Sequence, residues 1–369
     1  MHETAVEEFG KPPVRKGSLG EILDANRGIG PGFDLMRLAL SMLIVIDHCY
    51  EFATGHHTPL TFWHPAAYTL LGLFFALSGF LVTGSAERTN SLKVFLSFRA
   101  FRLVPALAVE VFVSALLIGP FVTSLPFMSY IISPSFIRYF GNILGHVQTT
   151  LPGVFGAPAD QDGVMNINLW TLKPEFVCYL VMSLLLATSS LKKNRVVIMT
   201  TILFLMTAFI SVMGVYDSIN EHFRWHLLVL AFLSGSVFYL YRYIIPYSMI
   251  GAILCIAISI GILQTFDQRL AIIAVPLVAY ATVCIGMTKL PLPKIFKSGD
   301  YSYGIYLYGY PLSQLIMWVS PVKLGFFSLS AAALVASFLV AALSWHFVEK
   351  PVLALRKKIF GKSKVLVHS

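Results

Sequence analysis

The sequence GFDLMRLALSMLIVIDHCYEF, Gly32 to Phe52, has the length of a membrane-spanning helix but carries titratable residues near both ends. Asp34 and Arg37 lie near its start, and Asp47 and His48 lie near its end. Such groups are costly inside a lipid bilayer, and those that are retained usually face protein or a water-filled path. The stretch therefore predicts a membrane helix with one functional or paired polar face.

The composition of the whole chain supports this interpretation. Of the 369 residues, 57% are hydrophobic and only 12% are charged, and the mean hydropathy is +0.75. Apolar runs of roughly 17 to 25 residues, the length that crosses a bilayer, recur about ten times. They lie near 35–52, 66–84, 102–123, 169–189, 196–215, 225–243, 246–264, 269–288, 302–319 and 325–347. The predicted fold class is all-α, a polytopic integral membrane protein with about ten transmembrane helices.

The positions of lysine and arginine predict that the N- and C-termini are cytoplasmic. In this orientation 22 of the 27 Lys and Arg residues lie on the cytoplasmic side, as the positive-inside rule requires. The other five are Arg138, Lys173, Arg224, Arg269 and Lys323. We expect a flexible cytoplasmic leader over 1–30, a transmembrane domain over 31–350 and a basic cytoplasmic tail over 351–369. The basic runs are expected to contact anionic lipid head groups and not nucleic acid.

Arg37 and His48 are predicted to share one face of the first membrane helix. They are eleven residues apart, which places them within about 20° of each other and about 16 Å apart along the helix axis. Two interpretations are open for each residue. Arg37 is either a ligand-binding group or an interfacial anchor paired with Asp34. His48 is either catalytic or a structural hydrogen-bond partner of a neighbouring helix.

Glu175 lies in NINLWTLKPEFVCYL, Asn166 to Leu180, at the start of the fourth predicted span. That span enters from the outer side, so Glu175 is expected at a depth similar to that of His48. A carboxylate at this depth needs a partner, and His48 and Lys173 are the candidates. An imidazole held by a carboxylate can take a proton from a hydroxyl. A buried ion pair between helices is an equally compatible interpretation.

Further polar residues are found around the third span. In LSFRAFRLVPAL, Arg99 and Arg102 are three residues apart, so both guanidinium groups lie on one helix face and form a fork suited to phosphate oxygens. Phosphates of membrane lipids would satisfy this fork equally well. Glu110, in the middle of the same span, is expected to be a protonated or hydrogen-bonded packing residue.

The four cysteines and the long outer connection lead to two more expectations. Each cysteine lies in or beside a predicted span without CxxC spacing, which favours apolar packing over a disulfide or a metal site. They are Cys49, Cys178, Cys255 and Cys284. The connection over 124–168 is too long for a simple turn, and we expect it to form a lid or an acceptor-binding surface.

Six motifs together resemble the acyltransferase-3 family of membrane acyltransferases. They occur in the family's order over roughly 31–355. They are DLMRLALSMLIVIDH, LGLFFALSGFLVTGS, FLSFRAFRLVPAL, NLWTLKPEF, YSYGIYLYGYP and LSWHFVEKP. This chain departs from the family's pattern at Lys173 and Pro174 in the fourth motif. It also has Gly309 where many members have a histidine, so we assign no second catalytic histidine to the ninth span.

The resemblance implies an O-acyltransferase of the inner membrane. Family members transfer an acyl group, usually acetyl, from cytoplasmic acyl-coenzyme A to a hydroxyl of a glycan or lipid-linked saccharide at the outer face. His48 matches the histidine regarded as essential, and Arg37, Arg99 and Arg102 match arginines associated with the acyl donor. Glu175 matches the glutamate of the tryptophan-containing motif. Exopolysaccharide, lipopolysaccharide and lipo-oligosaccharide are the acceptors that the resemblance implies.

Resemblance and charge placement lead to one expected mechanism. The donor's phosphates bind Arg99, Arg102 and Arg37, and the pantetheine arm extends along the helix face to His48. Oriented by Glu175 or Asp47, His48 either activates an acceptor hydroxyl or carries the acyl group covalently. No metal is expected to take part, and the oligomeric state is not predicted.

Two expectations concern the acceptor and the rival function. Outer residues that are candidates for contact with sugars are His56, His57, Trp63 and His64. The alternative function is a glycan or lipid transporter without acyl transfer.

Overall fold

The computed structural model describes residues 15–55, 63–89, 91–188, 191, 193–212, 225–264, 270–291 and 293–360. These residues are mostly helical. The α-helices are α1 (Leu19–Ala25), α2 (Phe33–Thr54), α3 (Trp63–Thr89), α4 (Leu92–Val113), α5 (Gly119–Val122), α6 (Phe127–Ile131), α7 (Pro134–Tyr139), α8 (Leu172–Ala187), α9 (Lys193–Val212), α10 (Trp225–Leu240), α11 (Met249–Gln264), α12 (Ala271–Gly286), α13 (Ser302–Val319), α14 (Phe326–Ser344) and α15 (Lys350–Phe360).

Short irregular helices and one small sheet complete the fold. Single turns of π-helix, Ser114–Ile118 and Trp345–Glu349, continue α4 and α14. Turns of 3-10 helix are formed by Phe140–Leu144, Ile167–Thr171 and Lys294–Ser298. Strands β1 (Thr150–Pro152) and β2 (Asp162–Val164) pair antiparallel. The all-α prediction is confirmed except for this two-stranded sheet in the 124–168 connection.

Each apolar run predicted from the sequence contains one long helix. Four helical stretches of the described residues are long and apolar enough to cross a membrane by length and composition: Thr69–Thr89, Leu92–Val122, Ile167–Ala187 and Phe326–Phe360. Shorter apolar helices are Asn194–Ile210, Trp225–Leu240, Met249–Gln264 and Ala271–Gly286. Large apolar side chains such as Phe121 and Leu180 are exposed on these helices, as expected where lipid covers them. The protein is a helical membrane protein.

Helices α3 and α10 are brought into close contact by two glycines. A Cβ atom at Gly79 would collide with the backbone of Phe232, and one at Gly235 would collide with the backbone of Ala76. Small residues let membrane helices approach until their backbones touch, which increases van der Waals contact where the hydrophobic effect is weak. This packing fixes the wall of α3 that faces the candidate site.

Helices α2 and α13 run parallel. Arg37, near the start of α2, pairs with Asp300 just before α13, and the ring of His48 further along contacts that of Tyr310. The contacts advance in the same direction on both helices. The predicted common face of Arg37 and His48 is therefore confirmed, and it is directed at α13.

Residues 15–30, which were expected to be part of a flexible leader, are instead folded. Ser18 caps α1 by accepting a hydrogen bond from the Glu21 amide. Leu19 and Leu23 are buried in the largest apolar cluster, and the Leu19 amide donates to the carbonyl of Ile245. Burial of two leucines and backbone pairing outweigh the polar composition of this segment.

Candidate active site

A cavity of ≈ 170 Å³ lies between α2, α3, α4, α8 and α13. Arg37, Arg99, Arg102 and Glu175 all line it. The cavity therefore brings together four of the five site residues predicted from the sequence. Much of the remaining wall is apolar, formed by Leu71, Phe74, Phe75, Leu77, Leu81, Val82, Leu103 and Phe232.

Asp300 joins two of the three arginines. One carboxylate oxygen, Oδ2, accepts from Nη2 of Arg102 at 2.7 Å and lies 3.1 Å from Nη2 of Arg37. Burial by itself would raise the pKa of Asp300, but the guanidinium groups of Arg102 and Arg37 lower it from 3.8 to about 2. Arg37 also pairs with Asp34 at 2.7 Å, so the predicted Asp34 partner is confirmed.

Glu349 is a second carboxylate of this cluster, 3.4 Å from Nη1 of Arg102 and almost fully buried. Neither Asp300 nor Glu349 was assigned a role from the sequence. The signal was present, because Asp300 directly precedes YSYGIYLYGYP and Glu349 lies within LSWHFVEKP. An acidic residue beside a membrane motif that is otherwise apolar is unusual enough to mark a partner for a buried arginine.

Arg99 is held differently from Arg102. Its Nη2 donates to the hydroxyl of Ser85 at 3.2 Å, and within the described residues it forms no ion pair within 4.0 Å. The Nε atoms of Arg99 and Arg37 are buried, and no hydrogen-bond acceptor contacts them in the described part of the chain. Buried N–H groups are normally satisfied. These two donors, beside a cavity, fit an anionic ligand such as a phosphate.

Glu175 does not contact His48. Its Oε1 accepts a hydrogen bond from the hydroxyl of Tyr179 at 2.7 Å, and its carboxylate lies within electrostatic range of Arg99 and Arg102. The expectation that Glu175 orients His48 is therefore wrong. The reason is rotational: Glu175 projects from α8 into the cavity, whereas the residue that reaches His48 lies in the 3-10 turn before α8.

His48 is held by Asn168 and Glu51. Its Nε2 lies 2.9 Å from Oδ1 of Asn168, and its Nδ1 lies 3.3 Å from Oε2 of Glu51. The imidazole also packs edge-on against the ring of Tyr310, with 4.9 Å between ring centroids. Asp47, the other carboxylate proposed to orient His48, is not among these contacts. Asn168 and Glu51 had not been given roles, although both lie within the quoted stretches.

The cavity and His48 are linked through the carbonyl of Asn168. Thr171 and Tyr306 line the cavity, and their hydroxyls are 2.7 Å apart. Both hydroxyls donate to the Asn168 carbonyl oxygen, at 2.9 Å and 3.2 Å. The lining of the cavity thus reaches the residue that holds the imidazole, although His48 itself is not part of that lining.

A buried network supports Asn168 from the outer connection. The Asn168 amide donates to Oδ1 of Asn166 at 3.1 Å. The side chain of Asn166 donates to Oε1 of Glu110 at 2.8 Å and to the carbonyl of Leu307 at 2.9 Å. Glu110 also accepts from Ser114 at 2.7 Å. The prediction that Glu110 is a hydrogen-bonded packing residue is confirmed.

Two remaining expectations concern the cysteines and the outer residues proposed to contact sugars. All four cysteines are free, and three of them are buried. His56 and His57 lie outside the described residues, as do the side chains of Trp63 and His64.

Comparison with known proteins identifies the family of this chain. The family model described as acyltransferase domain matches residues 31–346. An O-acetyl transferase of Shigella phage Sf6 is 26% identical over 332 residues, which cover 86% of this chain and 94% of the phage protein. Nodulation protein 10 of Rhizobium leguminosarum bv. viciae is 28% identical over 374 residues, covering 93% of this chain and 99% of that protein. No solved structure matches the chain significantly. The chain belongs to the acyltransferase-3 family of membrane acyltransferases.

Proposed function

We propose that the protein is an O-acetyltransferase that transfers the acetyl group of cytoplasmic acetyl-coenzyme A to a hydroxyl of an extracytoplasmic glycan. One observation carries the proposal. Three arginines line a single cavity, and two other lining residues, Thr171 and Tyr306, are hydrogen-bonded to Asn168. Asn168 in turn contacts the imidazole of His48. This arrangement fits a donor whose charged part is bound away from the reacting carbonyl.

The proposed topology has ten spans with both termini cytoplasmic, in the inner membrane. Its support is the meeting of Arg37, Arg102, Asp300 and Glu349 in one cluster. These residues belong to the first parts of α2 and α4, the segment before α13 and the segment after α14. A chain that changes sides with each of ten helices brings these four segments to the same side.

In the proposed donor complex, phosphate oxygens bind the unpartnered N–H groups of Arg99 and Arg37. The thioester carries no net charge, so moving it through protein toward the outer half costs far less than moving the nucleotide. Glu175 and Tyr179 form part of the wall along this path. We therefore place Glu175 in the donor cavity and no longer beside the imidazole.

At the outer end of the path, we propose that His48 activates the acceptor hydroxyl. The acceptor is a saccharide, which the relatives support only in general terms, because one is named an O-acetyl transferase and the other a nodulation protein. Exopolysaccharide, lipopolysaccharide and lipo-oligosaccharide are the proposed acceptor classes.

The test is glycan acylation by purified protein in liposomes supplied with radiolabelled acetyl-coenzyme A. His48→Ala is expected to abolish acetyl transfer while leaving membrane insertion intact, because it removes the proton-accepting group. His226→Ala, on α10, is the matched histidine control and is expected to retain activity. Wild-type amounts of acetylated glycan with His48→Ala would overturn the proposal. Movement of intact glycan without acetylation would favour the transporter.

A further inference from the structure

The two nitrogens of the His48 imidazole have different surroundings. Nε2 faces the side-chain oxygen of Asn168 at 2.9 Å, an ordinary hydrogen-bond length. Nδ1 faces Glu51 at 3.3 Å, which is long for a hydrogen bond to a carboxylate. The question is which nitrogen is available to a substrate.

The orientation of the Asn168 amide is fixed. Its Nδ2 donates to the carbonyl of Tyr306 at 2.8 Å, and a carbonyl can only accept. The oxygen of the amide must therefore face His48, so Nε2 carries a proton and donates to it. The carboxylate-histidine pairs of many hydrolases are arranged the other way round, with the proton on Nδ1.

The Asn168 contact is also the harder of the two to displace. Asn168 is buried, and its backbone amide, backbone carbonyl and side chain all take part in hydrogen bonds. Glu51 lies one turn beyond His48 on the same helix, and its side chain is a quarter exposed. Moving Asn168 would leave several buried groups unpaired, whereas water can solvate the partly exposed carboxylate of Glu51.

We infer that Nδ1 of His48 exchanges the proton with the substrate, and that Asn168 is the positioning residue that keeps the proton on Nε2. The inference rests on the proposed function. The acceptor hydroxyl displaces Glu51 and gives its proton to Nδ1 as its oxygen attacks the thioester carbon. The carbon–sulfur bond then breaks, and the thiolate of coenzyme A takes the proton from Nδ1. Glu51, close to the imidazolium, stabilises the charge that forms on it.

The sharpest test replaces His48 by Nδ1-methylhistidine, using the full-length protein in liposomes. The methyl group blocks Nδ1 and makes Nε2, which faces the Asn168 oxygen, the basic nitrogen of the neutral ring. Transfer is expected to fall by on the order of 10²-fold or more, the usual contribution of a general base. The KM for acetyl-coenzyme A is expected to stay within about twofold, since Nδ1 does not take part in donor binding. Activity near that of the unmodified protein would overturn the inference.

A second test uses Asn168→Ala. Without the amide, the neutral imidazole is free to adopt either tautomer, so kcat is expected to fall at least about tenfold with little change in the KM for the donor. Asn142→Ala is the matched control, because Asn142 is also buried in the outer connection but, within the described residues, bonds to backbone groups of Tyr139 and Gln148 alone. Equal effects of the two variants on kcat would refute the positioning role.

Failure of this inference can be distinguished from failure of the proposed function. If the wild-type protein transfers no acetyl group in this assay, the proposed function fails. If the wild-type protein is active and His48→Ala is inactive, but the methylated protein remains active, only the assignment to Nδ1 fails.

Discussion

Arg99 and Arg102 belong to one RxxR motif, yet their partners in the structure predict different roles for them. Arg102 pairs with two carboxylates, Asp300 at 2.7 Å and Glu349 at 3.4 Å. Arg99 donates to the neutral hydroxyl of Ser85 and has a buried N–H group without an acceptor in the described residues. We predict that Arg99→Ala mainly weakens donor binding, whereas Arg102→Ala mainly destabilises the fold.

The magnitudes follow from these partners. Arg102→Ala leaves Glu349, whose side chain is only 3% exposed, without its counter-ion, whereas Asp300 keeps Arg37 at 3.1 Å. Removing one member of a buried ion pair costs about 3–5 kcal/mol. Arg99→Ala removes one hydrogen bond from a charged guanidinium to a neutral hydroxyl, and its length of 3.2 Å places it at the lower end of the range of about 1.5–3 kcal/mol. A lost hydrogen bond from Arg99 to a phosphate is worth about 1.5–3 kcal/mol, which weakens the Kd for the donor by roughly 10- to 150-fold.

Two measurements on detergent-purified protein separate these effects. Thermal unfolding is expected to show a much lower Tm for Arg102→Ala than for Arg99→Ala. Calorimetric titration with acetyl-coenzyme A is expected to show the large loss of affinity in Arg99→Ala. Adding Glu349→Gln to Arg102→Ala should recover part of the lost stability, because the buried carboxylate that lost its partner is removed. Equal Tm values for the two single variants, or unchanged donor affinity in Arg99→Ala, would refute this division of roles.

Three further predictions concern stability. Gly79→Ala is expected to destabilise the protein by about 1–3 kcal/mol or more, because the added Cβ meets the α10 backbone. Gly261→Ala, with open space around the added Cβ, is the control. Equal Tm values for the two variants would contradict the packing argument. Because the pKa of Asp300 is lowered, its contribution to stability, about 2 kcal/mol, is present above about pH 4 and is lost as the pH falls toward 2. Acid unfolding of Asp300→Asn should lack this component. Identical acid unfolding of the variant and the wild-type protein would argue against it. Glu110→Ala should lower both the Tm and acetyl transfer because Asn166 loses one of its two acceptors, and full activity at wild-type Tm would show that the network is dispensable.

The sequence predicted the helices well because their signal is local. A bilayer requires long apolar runs, and each predicted run contains one helix of the structure. The common face of Arg37 and His48 was predictable for the same reason, since both residues belong to one rigid helix whose geometry fixes their relative direction. Glu175 was expected in the outer half of the membrane beside His48, and Arg99 and Arg102 were expected at the cytoplasmic side. The structure instead has all three in the lining of one cavity.

The partners of those residues could not be predicted in this way. Similar depth suggested Glu175 as the partner of His48, but depth does not define how a neighbouring helix is rotated. The actual partner, Asn168, lies in a 3-10 turn where helical spacing does not apply. Asp300 lies in a short segment between helices, where hydrophobic periodicity gives no information about direction.

The sequence by itself thus determined the class of the protein, the approximate positions of its apolar helices and the identity of the costly residues within them. These properties follow from the free energy of placing each side chain in lipid, which depends mainly on the local sequence. Only the tertiary structure decided that Asp300 neutralises two arginines, that Glu175 faces the donor cavity and that Asn168 holds His48. Those contacts depend on how separate helices rotate and pack against one another. The packing is set by residues that are far apart in the sequence, so no local pattern predicts it.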